Sequence, residues 1–490
     1  MFLDELVNKL IVYKKHGETT NVKITSIEID SREVEAGSLF VCLEGSHFDG
    51  HDFVKDAENN GAVAILAEKE VETSLPVIIV PSSVKALALF SHYFYDEPSH
   101  RLNIIGVTGT NGKTTLTYLI NDIFKLYGHK TAVIGTIDMK IGDQIYPVKN
   151  TTPDVLFLQK NFKKMVDEQV DTVIMEVSSH ALYMGRVYGI DFNTVVFTNL
   201  SQDHLDYHLN MDHYAHAKSL LFSQLGNNFN ENKVAVINAD DRYKELMEVA
   251  TSNQFIPYGF SDNAYIRAKN IKLDATDSYF EVETPTKQFN VHSHLTGKFN
   301  IYNMLAAISV AYRYQIPMDI VKDALEQTKG VPGRFEAVHA GQPFSVIVDY
   351  AHTPDSLENV LQSIVELKNG KVITVVGCGG NRDRTKRPKM ADVAVKYSDF
   401  SIFTSDNPRF EEPNAILNDM TGHLSGDNYQ VIVDRKEAIK QAINSAEKND
   451  IILIAGKGHE TYQEINGERI HFDDREIARE MIEERLKGNS

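Results

Sequence analysis

One run constrains this chain more than any other: Ile104-Ile105-Gly106-Val107-Thr108-Gly109-Thr110-Asn111-Gly112-Lys113-Thr114-Thr115. Apolar residues feed a glycine-rich turn that ends in Lys-Thr-Thr and a helical pattern, so a buried strand, a tight loop and a helix N-terminus must follow one another. That order predicts a nucleotide phosphate site. Glycines let backbone N–H groups approach the phosphates and the helix N-terminus favours anions. Lys113 is then placed for the β/γ-phosphates and Thr114 for Mg²⁺. The spacing departs from the usual phosphate loop, because Val107 stands where the first glycine of G-x-x-x-x-G-K-[ST] belongs, with Gly106 and Gly109 on either side.

At 490 residues the chain should divide into about three domains, each with its own core. No apolar run approaches the roughly 20 residues needed to cross a bilayer. The start Met-Phe-Leu-Asp-Glu-Leu lacks the basic flank of a signal peptide, so a cytoplasmic protein without membrane insertion is expected. Cys42 and Cys378 are too few for a disulfide framework. A net charge of −18 argues against nucleic acid or an anionic membrane as partner, so acidic ligands must be met by local cations. Arg382, Arg384, Lys386, Arg387 and Lys389, directly after a glycine turn, form such a cluster and point to anion recognition.

Residues 1–98 show short β-rich runs at 38–43, 62–66 and 76–80, a helical segment at 83–95, and a polar stretch at 96–100 that reads as a linker. Over 99–332, strands at 102–107, 131–135, 171–176, 194–198 and 233–237 alternate with helices, as a parallel sheet requires. Residues 264–292 break that rhythm and predict an antiparallel excursion. From 333 to 490 the alternation resumes, with strands near 345–349, 371–376, 400–404, 429–433 and 451–455, as in a doubly wound domain. Gly377-Cys378-Gly379-Gly380 is a poor dinucleotide turn, since Arg382 occupies the third glycine's place.

A phosphate loop alone does not separate a kinase, a hydrolase and a ligase. Glu176 ends the strand Thr172-Val173-Ile174-Met175, where a parallel sheet presents a Mg²⁺ ligand, and His204 lies in a His- and Asp-rich segment that could hold a second cation. On the helical pattern 214–222, Lys218 shares a face with Tyr214 and Leu221. Thr152-Pro153-Asp154 reads as a helix N-cap with proline at the first helical position.

In this order, Gly-Thr-Asn-Gly-Lys-Thr-Thr, Glu176-Val177-Ser178-Ser179-His180, Asp203-His204-Leu205-Asp206 and the Ala217-Lys218 helix resemble the ATP-dependent Mur ligases of bacterial cell-wall synthesis. The likeness runs on through Lys298-Phe299-Asn300-Ile301-Tyr302-Asn303, Pro332-Gly333-Arg334-Phe335-Glu336 and Asp349-Tyr350-Ala351-His352-Thr353-Pro354, and so covers nearly the whole chain. It implies three α/β domains: an N-terminal uridine-nucleotide domain, a central P-loop ATPase-type parallel sheet, and a C-terminal Rossmann-like domain for the incoming amino acid. It also implies that Lys218 is carbamylated by CO₂, which turns a cation into an oxygen ligand for Mg²⁺. With Thr114, Glu176 and His204 it would serve the metals. Asn303 would meet the adenine, Arg334 the phosphates and Asp349 the ribose, beside Gly109 to Thr115 of the loop. Because Arg334 and Asp349 begin the last domain and Lys113 belongs to the central one, the resemblance implies closure around ATP.

Asp406-Asn407-Pro408-Arg409 resembles the signature of family members that add meso-2,6-diaminopimelate to UDP-N-acetylmuramoyl-L-alanyl-D-glutamate. Diaminopimelate carries a second carboxylate that lysine lacks, and the Arg409 guanidinium fork suits it. Arg382 matches another carboxylate binder, although Asn381 stands where many relatives have Asp. In Gly456-Lys457-Gly458-His459-Glu460, Glu460 is matched to an amino group and Gly456 to backbone contact. At the other end Ser31 matches the UDP contact, and Thr151, Thr152, Ser178 and Arg186 match positions that hold the muramoyl-peptide. The resemblance thus implies an ADP-forming amide ligase that works through an acyl phosphate; a monomer is expected. The rivals are an L-lysine-adding relative, a folylpolyglutamate synthase-like ligase and, from another class, a P-loop kinase.

Overall fold

The computed structural model describes residues 1–45, 48–205, 207–228, 232–273, 277–328 and 330–488, so Asp206 of the Asp-His-Leu-Asp motif lies outside the described residues. Three main sheets organise the chain. The first orders its strands as Lys14–His16, Val77–Ile79, Ala62–Ala67, Ser38–Val41 and Ser26–Glu28, parallel except for the first pair. The helix Ser83–Phe94 packs on it through Ala86, Leu87 and Phe90, and its Ser82 hydroxyl caps the first turn by accepting from Lys85 N.

The central sheet carries eleven strands among the described residues. Its parallel part places Asn103–Thr108 between Thr172–Glu176 and Thr194–Phe197, with Thr131–Ile134 and Val234–Asn238 outside them. The strands Thr131–Ile134 and Thr172–Glu176 lie on one flank of Asn103–Thr108 and the later Thr194–Phe197 and Val234–Asn238 on the other, and this reversal of strand order opens a crevice at the carboxyl ends where the glycine loop emerges. Both faces are covered, and this is why these strands read as unbroken apolar runs. Ile105 and Val107 meet the helices Lys113–Tyr127 and Lys298–Arg313, while Ile104, Val173 and Phe197 point the other way into a second cluster. The expected antiparallel excursion is present as Ile266–Leu273, Ser278–Glu283 and Gln288–Ser293.

The third sheet orders Glu336–Ala337, Ser345–Asp349, Ile451–Ala455, Val372–Val376, Phe400–Phe403 and Tyr429–Val431, all parallel but for the short first strand. A hairpin of Tyr462–Ile465 and Glu468–His471 follows.

Two local readings are corrected. The polar stretch at 96–100 is no free linker: Pro98–Arg101 forms a 3₁₀ turn with Pro98 and Ser99 buried, packed on the helix Val155–Asp167. Proline's fixed φ starts this turn, and a neighbouring helix supplies the burial that polarity concealed. Nor does Thr152 cap the following helix. Asp154 does, accepting from Phe157 N at 2.9 Å, because the helix begins at Val155. Thr152 is thereby released for tertiary contacts.

Candidate functional site

The glycine loop is held open by the neighbouring strand exit. Thr110 N donates to Asn199 O at 2.8 Å, Asn111 N to Asn199 Oδ1 at 3.0 Å, and the Thr198 hydroxyl to Asn111 O at 2.7 Å. Gly109 and Gly112 have φ of +150° and +85°. A Cβ would stand 1.8 Å from Thr198 Oγ1 at the first and 2.4 Å from Asn303 Oδ1 at the second. Only glycine fits there. The Gly112 contact also places Asn303, on the helix Lys298–Arg313, against the loop. Lys113 turns back on its own loop, donating to Gly109 O at 3.0 Å and Thr110 O at 2.9 Å; burial lowers its pKa. Thr115 is buried in the first helical turn.

Thr114 and Glu176 converge. The Thr114 hydroxyl donates to Glu176 Oε2 at 3.0 Å, and the carboxylate also accepts from Thr136 N at 2.9 Å and its hydroxyl at 3.1 Å. Hard oxygen donors at a strand end beside a phosphate loop suit Mg²⁺. Lys218, on the helix Met211–Ser223, is 1% exposed, donates to Gly109 O at 2.7 Å and stands 4.6 Å over the Tyr214 ring. Burial foremost, and then the charge of Lys113, hold its pKa well below the usual lysine value. His204 has φ +54° and sets its ring against His180 at 4.8 Å and Tyr214 at 6.1 Å, so it reaches the Lys218 neighbourhood through that tyrosine.

On the same side, the Thr152 hydroxyl donates to Glu176 O at 2.9 Å and accepts from Ser178 N at 3.0 Å, while Arg186 Nη1 donates to Thr152 O at 3.1 Å. Thr151 Oγ1 lies 3.1 Å from Thr136 Oγ1. Three of the residues matched to the muramoyl-peptide, Thr152, Ser178 and Arg186, thus interlock, and Thr151 and Thr152 tie the group to Glu176. Ser178 also caps the helix Ser179–Tyr183. Ser31 sits apart, buried in the 3₁₀ turn Ser31–Glu33, with Asn60 Nδ2 donating to its carbonyl at 2.9 Å.

A second cavity, of about 540 Å³, opens at the carboxyl ends of the third sheet and is lined by Arg382, Asp406, Asn407, Arg409, Gly456 and Glu460. Arg409 has φ +52°, a costly conformation held by its backbone bonds to the hairpin, and Nη1 donates to Gly380 O at 3.0 Å. Its Nε stands 3.6 Å from Glu464. The Pro408 carbonyl crowds Gly380, where a Cβ would lie 1.9 Å away. Asn407 Nδ2 donates to Glu460 at 2.8 Å. Residue-type reasoning left out Lys457, which is fully buried under this floor and donates to Asn407 Oδ1 at 3.1 Å and Glu460 Oε2 at 3.3 Å. Its place between two glycines at a strand exit was the available signal.

The basic cluster divides. Arg382 and Lys386 line the cavity, whereas Arg387 is fully buried against Glu411 and Asp419, and Arg384 forks onto Asp419 with two bonds of 3.0 Å. Arg384 and Arg387 are thus structural, which corrects the reading of the whole run as anion-binding. Arg334 stacks over Tyr350 at 4.8 Å, and Tyr350 belongs to the cavity. Asp349 is buried, accepts from Phe335 N at 2.7 Å and Ala351 N at 2.8 Å, and has its pKa raised by burial.

A crevice with a phosphate loop and a hard-oxygen pair, and a cavity of mixed charge at the ends of the third sheet, fit an enzyme that couples a nucleotide to a charged acceptor. Residues 107–311 match the Mur ligase middle domain, 333–458 the Mur ligase glutamate ligase domain, and 23–95 the Mur ligase family catalytic domain. The chain belongs to the Mur ligase family. It is 53% identical over 470 residues to the UDP-N-acetylmuramoyl-L-alanyl-D-glutamate–2,6-diaminopimelate ligase of Bacillus cereus, covering 96% of each chain. To the enzyme of the same name from Bacillus velezensis it is 53% identical over 488 residues, 99% of each. A solved structure of a ligase with that name superposes with a TM-score of 0.73 at 34% identity, over 99% of both chains. Among the described residues, no helix is long and apolar enough to cross a membrane.

Proposed function

We infer that this protein joins meso-2,6-diaminopimelate to the D-glutamate side-chain carboxylate of UDP-N-acetylmuramoyl-L-alanyl-D-glutamate, cleaving ATP to ADP and phosphate, in peptidoglycan precursor synthesis. The observation that carries this reading is the charge pattern of the 540 Å³ cavity. Arg382, Lys386, Arg409 and Arg469 line it together with Asp406, Glu460 and Glu464, Arg409 and Glu464 lying 3.6 Å apart. Two carboxylates and two ammonium groups on one small molecule complement both signs at once. L-Lysine lacks the second carboxylate that a guanidinium fork would grip. Relatives of full length and about half identity carry the same activity in their names.

A free carboxylate is a poor electrophile, so the acid is first phosphorylated. The D-glutamate carboxylate oxygen attacks the γ-phosphorus and ADP leaves. The diaminopimelate amine then attacks the acyl carbon, and phosphate departs from the tetrahedral intermediate as the amine proton is lost. Two anions meet in the first step, so Lys113 must leave its loop carbonyls for the transferred phosphate, and Arg334 supplies a second cation. Bound Mg²⁺ contributes charge neutralisation, with Thr114, Glu176, His204 and carbamylated Lys218 as the residues that would hold it or its shell. Thr151, Thr152, Ser178 and Arg186 orient the peptide, Ser31 the uridine end, and Asn303 and Asp349 the nucleoside.

The division of labour proposed is residues 1–98 for the UDP-substrate, 99–332 for ATP and 333–490 for the amino acid, in a cytoplasmic monomer. Lys218, buried and held toward its neutral form, is the kind of amine that adds to CO₂, forming an N–C bond and losing a proton. The deciding experiment offers meso-diaminopimelate and L-lysine in equimolar mixture with ATP and the UDP-dipeptide. Phosphate release with diaminopimelate attached supports the reading. Attachment of lysine, or phosphate transfer without amide formation, replaces it with the rival ligase or a kinase.

A further inference from the structure

We propose that Asp277, His292 and His294 form a binding site for a divalent transition-metal ion of the Zn²⁺ type, on the antiparallel arm of the central sheet and apart from the nucleotide crevice. The ligand atoms of these residues lie within 4.8 Å of one another. Asp277 Oδ1 stands 2.9 Å from His292 Nε2 and 2.8 Å from His294 Nδ1, so one carboxylate oxygen already gathers both rings. A tetrahedral ion with bonds near 2.0–2.2 Å needs its ligands only slightly further apart, a shift that side-chain rotation supplies.

Three features separate this cluster from a chance meeting of exposed polar groups. His292 Nδ1 faces Glu326 Oε1 at 3.1 Å, a second carboxylate that fixes the tautomer and leaves Nε2 for the metal. The His292 ring lies flat on Tyr279, with centroids 4.5 Å apart and planes 6° from parallel, so its direction is set before any ion arrives. His292 lies in the strand Gln288–Ser293 and His294 just past its end, and both rings turn to the same carboxylate oxygen. Two imidazoles and one carboxylate, with a water in the remaining position, are borderline-soft donors. They select Zn²⁺, Co²⁺ or Ni²⁺ over the Mg²⁺ that the oxygen donors Thr114 and Glu176 prefer.

The location bears on function. His294 is followed closely by the start of the helix Lys298–Arg313, which carries Asn303 to the phosphate loop, and Glu326 lies on the helix Met318–Gln327. An ion here would cross-link the arm to the segment entering the nucleotide helix. The ring protons now shared with Asp277 would be displaced, so binding must release protons.

The test is a Co²⁺ titration of the full-length protein in excess Mg²⁺, which occupies the hard-oxygen site, followed by visible absorption and repeated with Zn²⁺ competition. The wild type should bind one more Co²⁺ than His292→Ala or His294→Ala, with an absorption band that both variants lose and Zn²⁺ abolishes. Glu326→Gln, which leaves all three ligands in place, should weaken binding by about 10-fold or more. Unchanged stoichiometry and spectrum in folded His294→Ala, whose side chain is 62% exposed and not needed for the core, would overturn the assignment.

Discussion

Lys113 and Lys218 donate to the same acceptor, the carbonyl of Gly109, at 3.0 and 2.7 Å. Burial first, and then the repulsion of a second ammonium group on the same carbonyl, hold Lys218 toward its neutral form. Nucleotide binding would draw Lys113 away to the phosphates, while Lys218 remains an amine available to CO₂.

Protein equilibrated with ¹³C-bicarbonate near pH 8 should therefore show one slowly exchanging carbamate carbon resonance that is missing in Lys218→Ala. Acidification should erase it as the amine takes up a proton. The variant should lose about 10²–10³ in turnover, on the scale of removing one charge-stabilising group. A wild-type spectrum without the resonance, in active enzyme, would refute carbamylation.

Arg409→Ala should raise the KM for diaminopimelate by about 10- to 100-fold, the cost of one charge-assisted contact, and leave ATP affinity nearly unchanged. Arg409→Lys should recover only part, because a point charge does not grip a carboxylate with two parallel bonds. Steady-state kinetics with each substrate varied in turn resolves this. Equal loss of ATP affinity would mean that the side chain serves the nucleotide instead.

Gly112→Ala places a methyl 2.4 Å from Asn303 Oδ1 on backbone at φ +85°. The strain, about 1–3 kcal/mol, falls on the loop proposed to close on phosphates. Calorimetry should show at least a 10-fold loss of affinity for a non-hydrolysable ATP analogue, with the far-UV circular dichroism retained. Gly128→Ala, where a Cβ meets nothing within 4 Å, is the matched control for positive φ alone.

His459 has a folded pKa lowered from 6.5 to about 4, by burial first and then by Arg334 and Arg475, and its Nδ1 is buried without a partner. The unfolded chain takes up this proton first, so stability is intact above pH 6.5 and is lost as pH falls toward 4. The loss at pH 5 is at most about 2 kcal/mol. His459→Gln should narrow the gap between thermal midpoints at pH 7.5 and pH 5. An unchanged gap would assign the acid sensitivity to other groups, His208 among them, whose pKa is likewise lowered to about 4 by burial.

What the sequence by itself determined is whatever local spacing encodes. The strand, glycine turn and helix at 103–127, the antiparallel arm and the alternation of the last domain were legible because side-chain period and turn chemistry act over a few residues. The tertiary structure decided what depends on burial and on partners distant in the chain. Identical spacing could not tell Arg382, open to the cavity, from Arg387, sealed against Glu411 and Asp419. It could not show Lys218 bonded to a carbonyl 109 positions away, or Lys457 beneath Asn407, or Thr152 drawn from capping to the Glu176 carbonyl. Desolvation and charge pairing arise only when separate segments exclude water together, and no window of neighbouring residues contains that information.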